Sequence, residues 1–574
     1  MFFGRVCDNG ITQEDEFFVQ KNFSSKNVVY FNNATIYFFS SEIRDFRKNG
    51  QNGIILVGNA HRRYSKEVEC YSIEDVNKNF WGDYIAFLVC NNFLKEIFRG
   101  LCSVQSVYYK VIEGDLIFGS HISYFGNIKK GSLNLNYLSR FLLYGQSLST
   151  ETAFLEISEL QVGCSLSALG DYPTKMVWNP TDYTNVTRKK CGDTQLAETL
   201  DYVIKKQCKD VKSTILDYSG GLDSTALLYT MKQNLPDKGA LKALNCYHSS
   251  VASSNESEFA KRVCNNLDVP FLGYDYKKNK LPFTPVQFAQ EFIDKPDPAL
   301  IRYMVDSDIA EMVKKMGYHH LFNGEGGDHL FMCPPAIESL SDLIIDKKFN
   351  LLRQKTGEIA TIFRKNIFEL LSITKKNLFS YILRNGYQNI LELTQFRASW
   401  HTEDLVNLQK NFSFHPFYYQ KHDRILPGKF YQIDNIYIAL SVITSDIRNQ
   451  LIKCYYPILT QPMIELALSF PAYELYQNGY DRFPFRNSIS KAFSTQDVWR
   501  KDKGESTGTA LLGMKKYIKY VTSLLMDGYF AKEKLIDREL LYQNIKQLTN
   551  GYADNQWAII HLVACELFLE HWQK

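Results

Sequence analysis

The 574-residue sequence lacks several features that would assign a function class at once. It has no uninterrupted apolar run of about 18 residues, the length a helix needs to cross a bilayer, so stable membrane insertion is not expected. Its start, MFFGRVCDNG, has no basic stretch followed by an apolar run and a small-residue cleavage site. A secretory signal is therefore not indicated, and a cytoplasmic location is expected. The 12 cysteines include no C-x-x-C pair; free thiols in a reducing compartment fit them better than a disulfide framework or a zinc or iron–sulfur site. Charge of one sign is scarce. The 66 Lys plus Arg face 62 Asp plus Glu, a net of +4, which gives no reason to expect a nucleic-acid-binding surface. Internal repeats, low-complexity tracts and the G-x-x-x-x-G-K-[ST] phosphate loop are all missing.

Apolar and aromatic residues are abundant. They make up 45% of the chain, with 36 Tyr and 39 Phe. A chain this long and apolar divides into two or more cores. Up to about residue 190, short runs rich in Val, Ile, Tyr and Phe alternate with polar turns: Val28 to Phe31, Ile36 to Phe39, Gly53 to Val57, Tyr84 to Cys90, Val107 to Lys110 and Leu116 to Phe118. Runs of this length and composition read as strands. The polar, basic segment Asn179 to Gly192 reads as a linker or domain edge, dividing the chain into residues 1–190 and 191–574.

Beyond it, helical and strand patterns alternate. A helix from Thr194 precedes the strand Ser213 to Tyr218. There follow the helical run Ala226 to Met231, the strand Ala243 to Tyr247, the helix Glu256 to Leu267, a strand near Phe271, the helix Ser307 to Met316 and the strand Tyr318 to Phe322. Such alternation predicts a parallel sheet covered on both faces, with ligands outside the carboxyl ends of its strands. After Cys333 the chain reads as largely helical, including Leu340 to Ile345, Glu358 to Leu370, Tyr431 to Ile447 and Met463 to Leu468.

Two glycine-rich turns fall at those strand ends. The first is Ser219-Gly220-Gly221-Leu222-Asp223-Ser224. Glycines bend the backbone sharply and expose N–H groups, and the following helix presents unpaired N–H groups and partial positive charge. Together they form a cradle for phosphate. Asp223 at the same mouth would repel phosphate unless a cation intervenes, which implies magnesium. The second turn is Asn323-Gly324-Glu325-Gly326-Gly327-Asp328-His329. Asp328 completes the metal site if the two strands are neighbours, and Glu325 is aimed elsewhere in the cavity as a candidate general base.

These turns resemble the pyrophosphate loop and the second loop of the asparagine-synthetase superfamily. The stretch Tyr456-Pro457-Ile458-Leu459-Thr460-Gln461-Pro462-Met463-Ile464-Glu465 resembles its helical region. Phe80-Trp81-Gly82-Asp83-Tyr84 and Phe118-Gly119-Ser120 resemble its amidotransferase-like N-terminal fold. The resemblance implies an N-terminal-nucleophile-type β-rich sandwich at residues 1–190. It implies an ATP-dependent, adenine nucleotide alpha hydrolase-like parallel-sheet domain at 191–574.

It also implies roles. ATP phosphates lie over Ser219, Gly220, Gly221, Ser224 and Gly324; Asp223 and Asp328 hold Mg2+; Glu325 acts as base. The segment Trp499 to Gly508 resembles the family's Lys-Gly loop. It nominates Lys503 to face the triphosphate and the reacting carbonyl, with Arg500 and Lys501 as further phosphate contacts. Asp481-Arg482 resembles a short family element whose role is unassigned.

The departures narrow the reading. Glutamine-using members carry a cysteine after the initiator methionine; position 2 here is Phe2, and Cys7 has no free α-amine. The glutamine-handling Asn-Gly-Glu motif is replaced by Leu56-Val57-Gly58-Asn59-Ala60-His61-Arg62. The N-terminal half is thus expected to hydrolyse nothing, and the amine arrives with the substrate. The β-lactam-forming branch replaces the second-loop glutamate with tyrosine, whereas this chain keeps Glu325. The resemblance therefore favours the lasso peptide cyclase branch, which adenylates an Asp or Glu side chain of a precursor peptide and closes a macrolactam on the peptide's N-terminal amine. A leader-peptide-binding protein and a leader peptidase are the implied partners. An ammonia-dependent asparagine synthetase or another small-amide or β-lactam synthetase is the alternative. His329 stands where the family carries glutamate.

Overall fold

A computed structural model describes residues 1–6, 27–39, 42–64, 70–125, 132–145, 148–184, 193–235, 237, 239–251, 255–288, 292–383, 396–408, 415–419, 425–501, 507–551 and 555–573. The architecture is mixed α/β, with β-rich sheets in the N-terminal third and a parallel sheet wrapped by helices in the remainder. No helix of the described residues is long and apolar enough to cross a membrane.

Among the described residues, twelve strands build the first part. They are β1 (Phe2–Val6), β2 (Asn27–Tyr30), β3 (Ala34–Phe38), β4 (Ile43–Asp45), β5 (Gly53–Arg62), β6 (Phe80–Cys90), β7 (Phe93–Arg99), β8 (Tyr108–Ile112), β9 (Asp115–Gly119), β10 (Ser158–Glu159), β11 (Cys164–Ser167) and β12 (Thr174–Met176). They form two six-stranded antiparallel sheets, ordered β10-β8-β9-β1-β3-β2 and β12-β11-β7-β6-β5-β4. Inward residues of both meet in one core: Phe2, Ile36, Phe38 and Phe118 from the first sheet, Ile55, Val57, Ile85 and Phe87 from the second. Alternating apolar residues on short antiparallel strands leave no other way to bury both faces. All six expected strands are present.

The second part is organised by β13 (Thr214–Asp217), β14 (Leu241–Tyr247), β15 (Phe271–Asp275), β16 (His320–Asn323) and β17 (Lys453–Tyr455). All pair in parallel, in the order β15-β14-β13-β16-β17. Successive residues of β13 point to opposite faces, and both faces are covered. Ile215 packs with Val305, Ile309 and Val313 of one helix. Leu216 packs with Leu200, Val203 and Leu227 from the helices Gln195–Cys208 and Leu222–Asn234. Burial on both sides explains why the two central positions of β13, Ile215 and Leu216, are both apolar.

The chain after Cys333 is largely helical, as expected, and among the described residues Lys453–Tyr455 adds a fifth strand, at the edge beside β16. A three-residue strand shows too little alternation to be seen in sequence. The helix expected across Glu358 to Leu370 is two helices, Phe349–Phe363 and Ile367–Leu383, broken at Arg364 in a left-handed conformation (φ 52°). The proposed boundary at residues 190 and 191 lies outside the described residues.

The two parts share contacts. Arg63 grips Glu465 through two bonds of 2.7 Å, Trp178 Nε1 donates to the same carboxylate at 3.3 Å, and Trp81 Nε1 donates to Tyr202 at 3.2 Å.

Candidate active site

The strand order puts β13 and β16 side by side, with Asp217 opposite Asn323 in the register. From β13 the chain builds outward through β14 and β15, then returns to β16 on the other side of β13. The crevice between the carboxyl ends of β13 and β16 is therefore the topological switch point, where open α/β sheets bind ligands. Both glycine-rich turns open there.

In the first turn, Gly220 has φ +82°, and a Cβ there would lie 3.2 Å from the Phe259 ring. Ser219 Oγ lies 3.1 Å from Ser224 Oγ and accepts from Gly221 N at 3.3 Å. The helix Leu222–Asn234 follows at once, without a side-chain cap on its first N–H groups. The second turn packs directly against it: a Cβ on Gly324 would lie 3.0 Å from the Ser224 nitrogen. One on Gly327 would lie 2.0 Å from Asp223 Oδ1, and one on Gly326 (φ +102°) would overlap Leu459 at 2.1 Å. Glycine at 327 is thus a requirement of close approach to the Asp223 carboxylate.

Asp223 and Asp328 converge on a single atom, the Nη1 nitrogen of Arg482. Asp223 Oδ2 lies 2.7 Å from it, and Asp328 Oδ1 is ion-paired to the same nitrogen. The Arg482 side chain is 4% exposed. Burial opposes its charge, but the carboxylates of Asp223, Asp328 and Asp481 outweigh that and hold its pKa above the ordinary guanidinium value. Asp481 accepts from Arg482 Nε at 3.1 Å and from Arg486 Nη2 at 2.9 Å.

Two carboxylates focused on one cationic atom are hard oxygen donors of the kind that hold Mg2+ together with substrate phosphates. The residues present therefore fit a metal–nucleotide site. Among the described residues no group of three or more His, Cys, Asp or Glu is arranged to hold a metal ion by protein ligands alone.

Glu325 belongs to the same turn as Asp328. Its backbone N–H is fixed by Asn323 Oδ1 at 2.7 Å, and its carboxylate is 36% exposed, 3.8 Å from His329 Nδ1. Arg500 borders the first turn: its guanidinium stacks 4.2 Å above Phe259, its Nη2 binds Glu256 at 2.6 Å, and its Nη1 is 3.9 Å from where a Gly220 Cβ would be. Lys501 Nζ sits 4.2 Å over the Tyr480 ring. Lys503 lies outside the described residues, as does Cys7.

Sequence reasoning left two cations without a role here. Arg482 was marked by its resemblance alone. Arg448 carried no signal; its Nη1 lies 3.2 Å from Asp217 Oδ2 at the floor of the crevice, and Asp446 holds it in turn at 2.7 Å.

Phe2 is fully buried, with its ring edge-on to Phe87 at 5.4 Å. A cavity of about 840 Å3 opens between the sandwich and β17, lined in part by Asn59, His61, Asp83, Cys102, Tyr456 and Leu459. Burial pushes the Cys102 thiol far up, which removes its nucleophilic thiolate. Burial and the nearby Arg44 and Lys206 push His61 down to about 4.

The model of the asparagine synthase family matches residues 195–574, more than half of the chain and all of the parallel sheet. The chain belongs to that family. Among curated proteins it is similar to the microcin J25-processing protein McjC of Escherichia coli, 21% identical over 320 residues, 54% of this chain and 52% of that protein. The chain thus spans about half the length of that relative. Solved structures with some likeness include the NH3-dependent NAD synthetase of Campylobacter jejuni, 13% identical over 35% of this chain and 99% of that one, with a TM-score of 0.19. Another is the glutamine phosphoribosylpyrophosphate amidotransferase of B. subtilis, 9% identical over 56% and 81%, with a TM-score of 0.20.

Proposed function

We propose that this protein is an ATP-dependent carbon–nitrogen ligase of the lasso peptide cyclase type. It activates an Asp or Glu side chain of a precursor peptide as its adenylate and closes a macrolactam with the peptide's N-terminal amine. The observation that carries the reading is the meeting of Asp223 and Asp328 on one cation, between two glycine turns at the switch point of a parallel sheet. The similarity to a microcin-processing protein supports a peptide as the substrate.

In this reading, residues 191–574 form the adenylating domain and residues 1–190 an amidotransferase-like domain without glutaminase chemistry. The N–H groups of Gly220, Gly221 and Gly324 and the hydroxyls of Ser219 and Ser224 cradle the ATP phosphates. Asp223 and Asp328 would hold Mg2+, which would supply neutralisation of the phosphate charge. The peptide carboxylate attacks the α-phosphorus; its oxygen–phosphorus bond forms as the bond to pyrophosphate breaks. The peptide amine then attacks the activated carbonyl, Glu325 takes the proton and AMP departs. Lys503 is assigned to the developing oxygen charge. The exposed carboxylate of Glu325, 36% accessible, suits a proton acceptor.

The amine comes with the peptide because the sandwich supplies no ammonia: Phe2 is core and the Cys102 thiol is suppressed. The 840 Å3 cavity has a size suited to a peptide segment, and Leu459 both lines it and packs on the second turn. A leader-peptide-binding protein and a leader peptidase would deliver the trimmed peptide.

The test is mass spectrometry of a candidate core peptide incubated with the protein and MgATP. Loss of one water with stoichiometric AMP is expected. Asparagine formed from aspartate, ATP and ammonia, with every peptide unchanged, would replace this reading by the ammonia-dependent synthetase. Glu325→Gln should slow ring closure on the order of 100-fold while sparing ATP–pyrophosphate exchange; equal loss of both steps removes the base assignment.

A further inference from the structure

We propose that Arg482 is a resident counter-cation for the Asp223–Asp328 pair, and that it must yield this pair for a divalent ion to bind, so that the metal enters only with the nucleotide. The inference rests on the adenylation reading and concerns how that site is loaded.

Two carboxylates brought this close in a largely buried crevice repel each other unless a cation lies between them. Arg482 supplies it. Its Nη1 touches Asp223 Oδ2 at 2.7 Å and pairs with Asp328 Oδ1. These are the oxygens a hard divalent ion would take, and a guanidinium nitrogen and a metal ion cannot share the position between them.

The arrangement is built rather than incidental. Arg482 is 3% exposed as a residue and adopts φ +50°, unusual for a side chain of its size. It sits immediately before the helix Phe483–Phe493, which fixes the turn from which it projects. Its neighbour Asp481 is engaged by Arg486, through both the Asp481 carboxylate and its backbone oxygen at 2.9 Å. Asp223 lies against Gly327, where a Cβ would meet its carboxylate at 2.0 Å, so glycine there leaves the acid the room to reach Arg482.

The exchange follows from charge. Free Mg2+ approaching this pair meets a cation already seated there and gains little. Nucleotide phosphates bring several negative charges, which accommodate the metal between the two acids. They also give the displaced guanidinium an anion to bind in fork geometry.

The experiment is Mn2+ binding followed by electron paramagnetic resonance, with and without α,β-methylene-ATP. Wild-type protein is expected to bind one Mn2+ tightly only in the presence of the analogue. Arg482→Gln is expected to bind Mn2+ without nucleotide at least about 10-fold more tightly than wild type does under the same condition, and Asp328→Asn added to it should abolish the gain. A thermal melt establishes that each variant is folded. Where Arg482→Gln does not fold, Arg482→Lys carries the test, since a shorter side chain with a single nitrogen holds both acids less well and should give a gain of about 3-fold. A folded variant with no gain, beside a wild type whose nucleotide-dependent Mn2+ site is intact, overturns the counter-cation and leaves the adenylation reading standing. Absence of any Mn2+ site in wild type even with the analogue overturns the adenylation reading, and this inference with it.

Discussion

The antiparallel sandwich and the parallel sheet differ most at their functional ends. In the sandwich, the position where glutamine-using enzymes of the resembled family carry a nucleophile belongs to Phe2, packed in the core with Phe87 and Phe118. The His61 ring lies 4.6 Å from that of Trp81, tilted by 38°. In the parallel sheet, Gly324, Gly326 and Gly327 keep side-chain volume out of the switch point. Charge is concentrated there instead, in Asp223, Asp328, Asp481, Arg482 and Arg486. At the Phe2 position the sandwich is filled by apolar packing. The parallel sheet forgoes packing to bring charged groups together, a cost proteins bear where chemistry requires it.

The sharpest way to break this contrast is to remove charge from the crevice. Asp223→Ala or Asp328→Ala should lower ATP–pyrophosphate exchange on the order of 1000-fold. Exchange at wild-type rate would show that the crevice is not the site of chemistry. Next in size, Gly327→Ala adds one methyl against the Asp223 carboxylate and no charge. Displacement of the acid should cost on the order of 100-fold in exchange, measured beside the unfolding midpoint to separate a shifted site from an unfolded one.

The converse substitution is made in the sandwich. Phe2→Cys returns a thiol to the position that resembles the family's nucleophile. It should yield no glutamine hydrolysis, while urea denaturation records a loss of about 3 kcal/mol from the emptied core. Glutaminase activity in that variant would mean the sandwich had kept more of its chemistry than its packing implies.

The remaining expected effects concern pH. His61 is held neutral in the fold, its pKa pushed down to about 4 by burial and by Arg44 and Lys206. Below about 6.5 the unfolded chain binds a proton that the folded one refuses, so stability falls as pH drops from there toward 4. Asp342 is displaced oppositely: burial raises it to about 8, against the bond its Oδ1 accepts from Gly428 N at 2.8 Å. The fold keeps this proton while the unfolded chain releases it near 4, so stability falls as pH rises from 4 toward 8. Urea midpoints against pH should flatten on the acid side for His61→Gln and on the alkaline side for Asp342→Asn.

Much of this was legible in the residues. Short Val-, Ile-, Tyr- and Phe-rich runs marked the strands of the sandwich. The short stretch Ser213 to Tyr218 ahead of Ser219-Gly220-Gly221 marked β13, because a strand covered on both faces carries apolar residues at successive positions, here Ile215 and Leu216. Each glycine turn announced itself locally, since tight turns and exposed N–H groups depend on residues adjacent in the chain. The acids Asp223 and Asp328 could be named, though not joined.

Joining them was left to the tertiary structure. Whether β13 and β16 are neighbours depends on the order in which five strands pair, a long-range choice that no short segment encodes. The edge strand Lys453–Tyr455 was likewise invisible, because three residues acquire strand geometry only from the partner they pair with. Arg482 lies 259 positions after Asp223, and its place between the two acids comes from how a distant turn and helix dock on the sheet. Local chemistry supplied the parts of the site, while the packing of remote segments decided which of them meet and which cation stands between them.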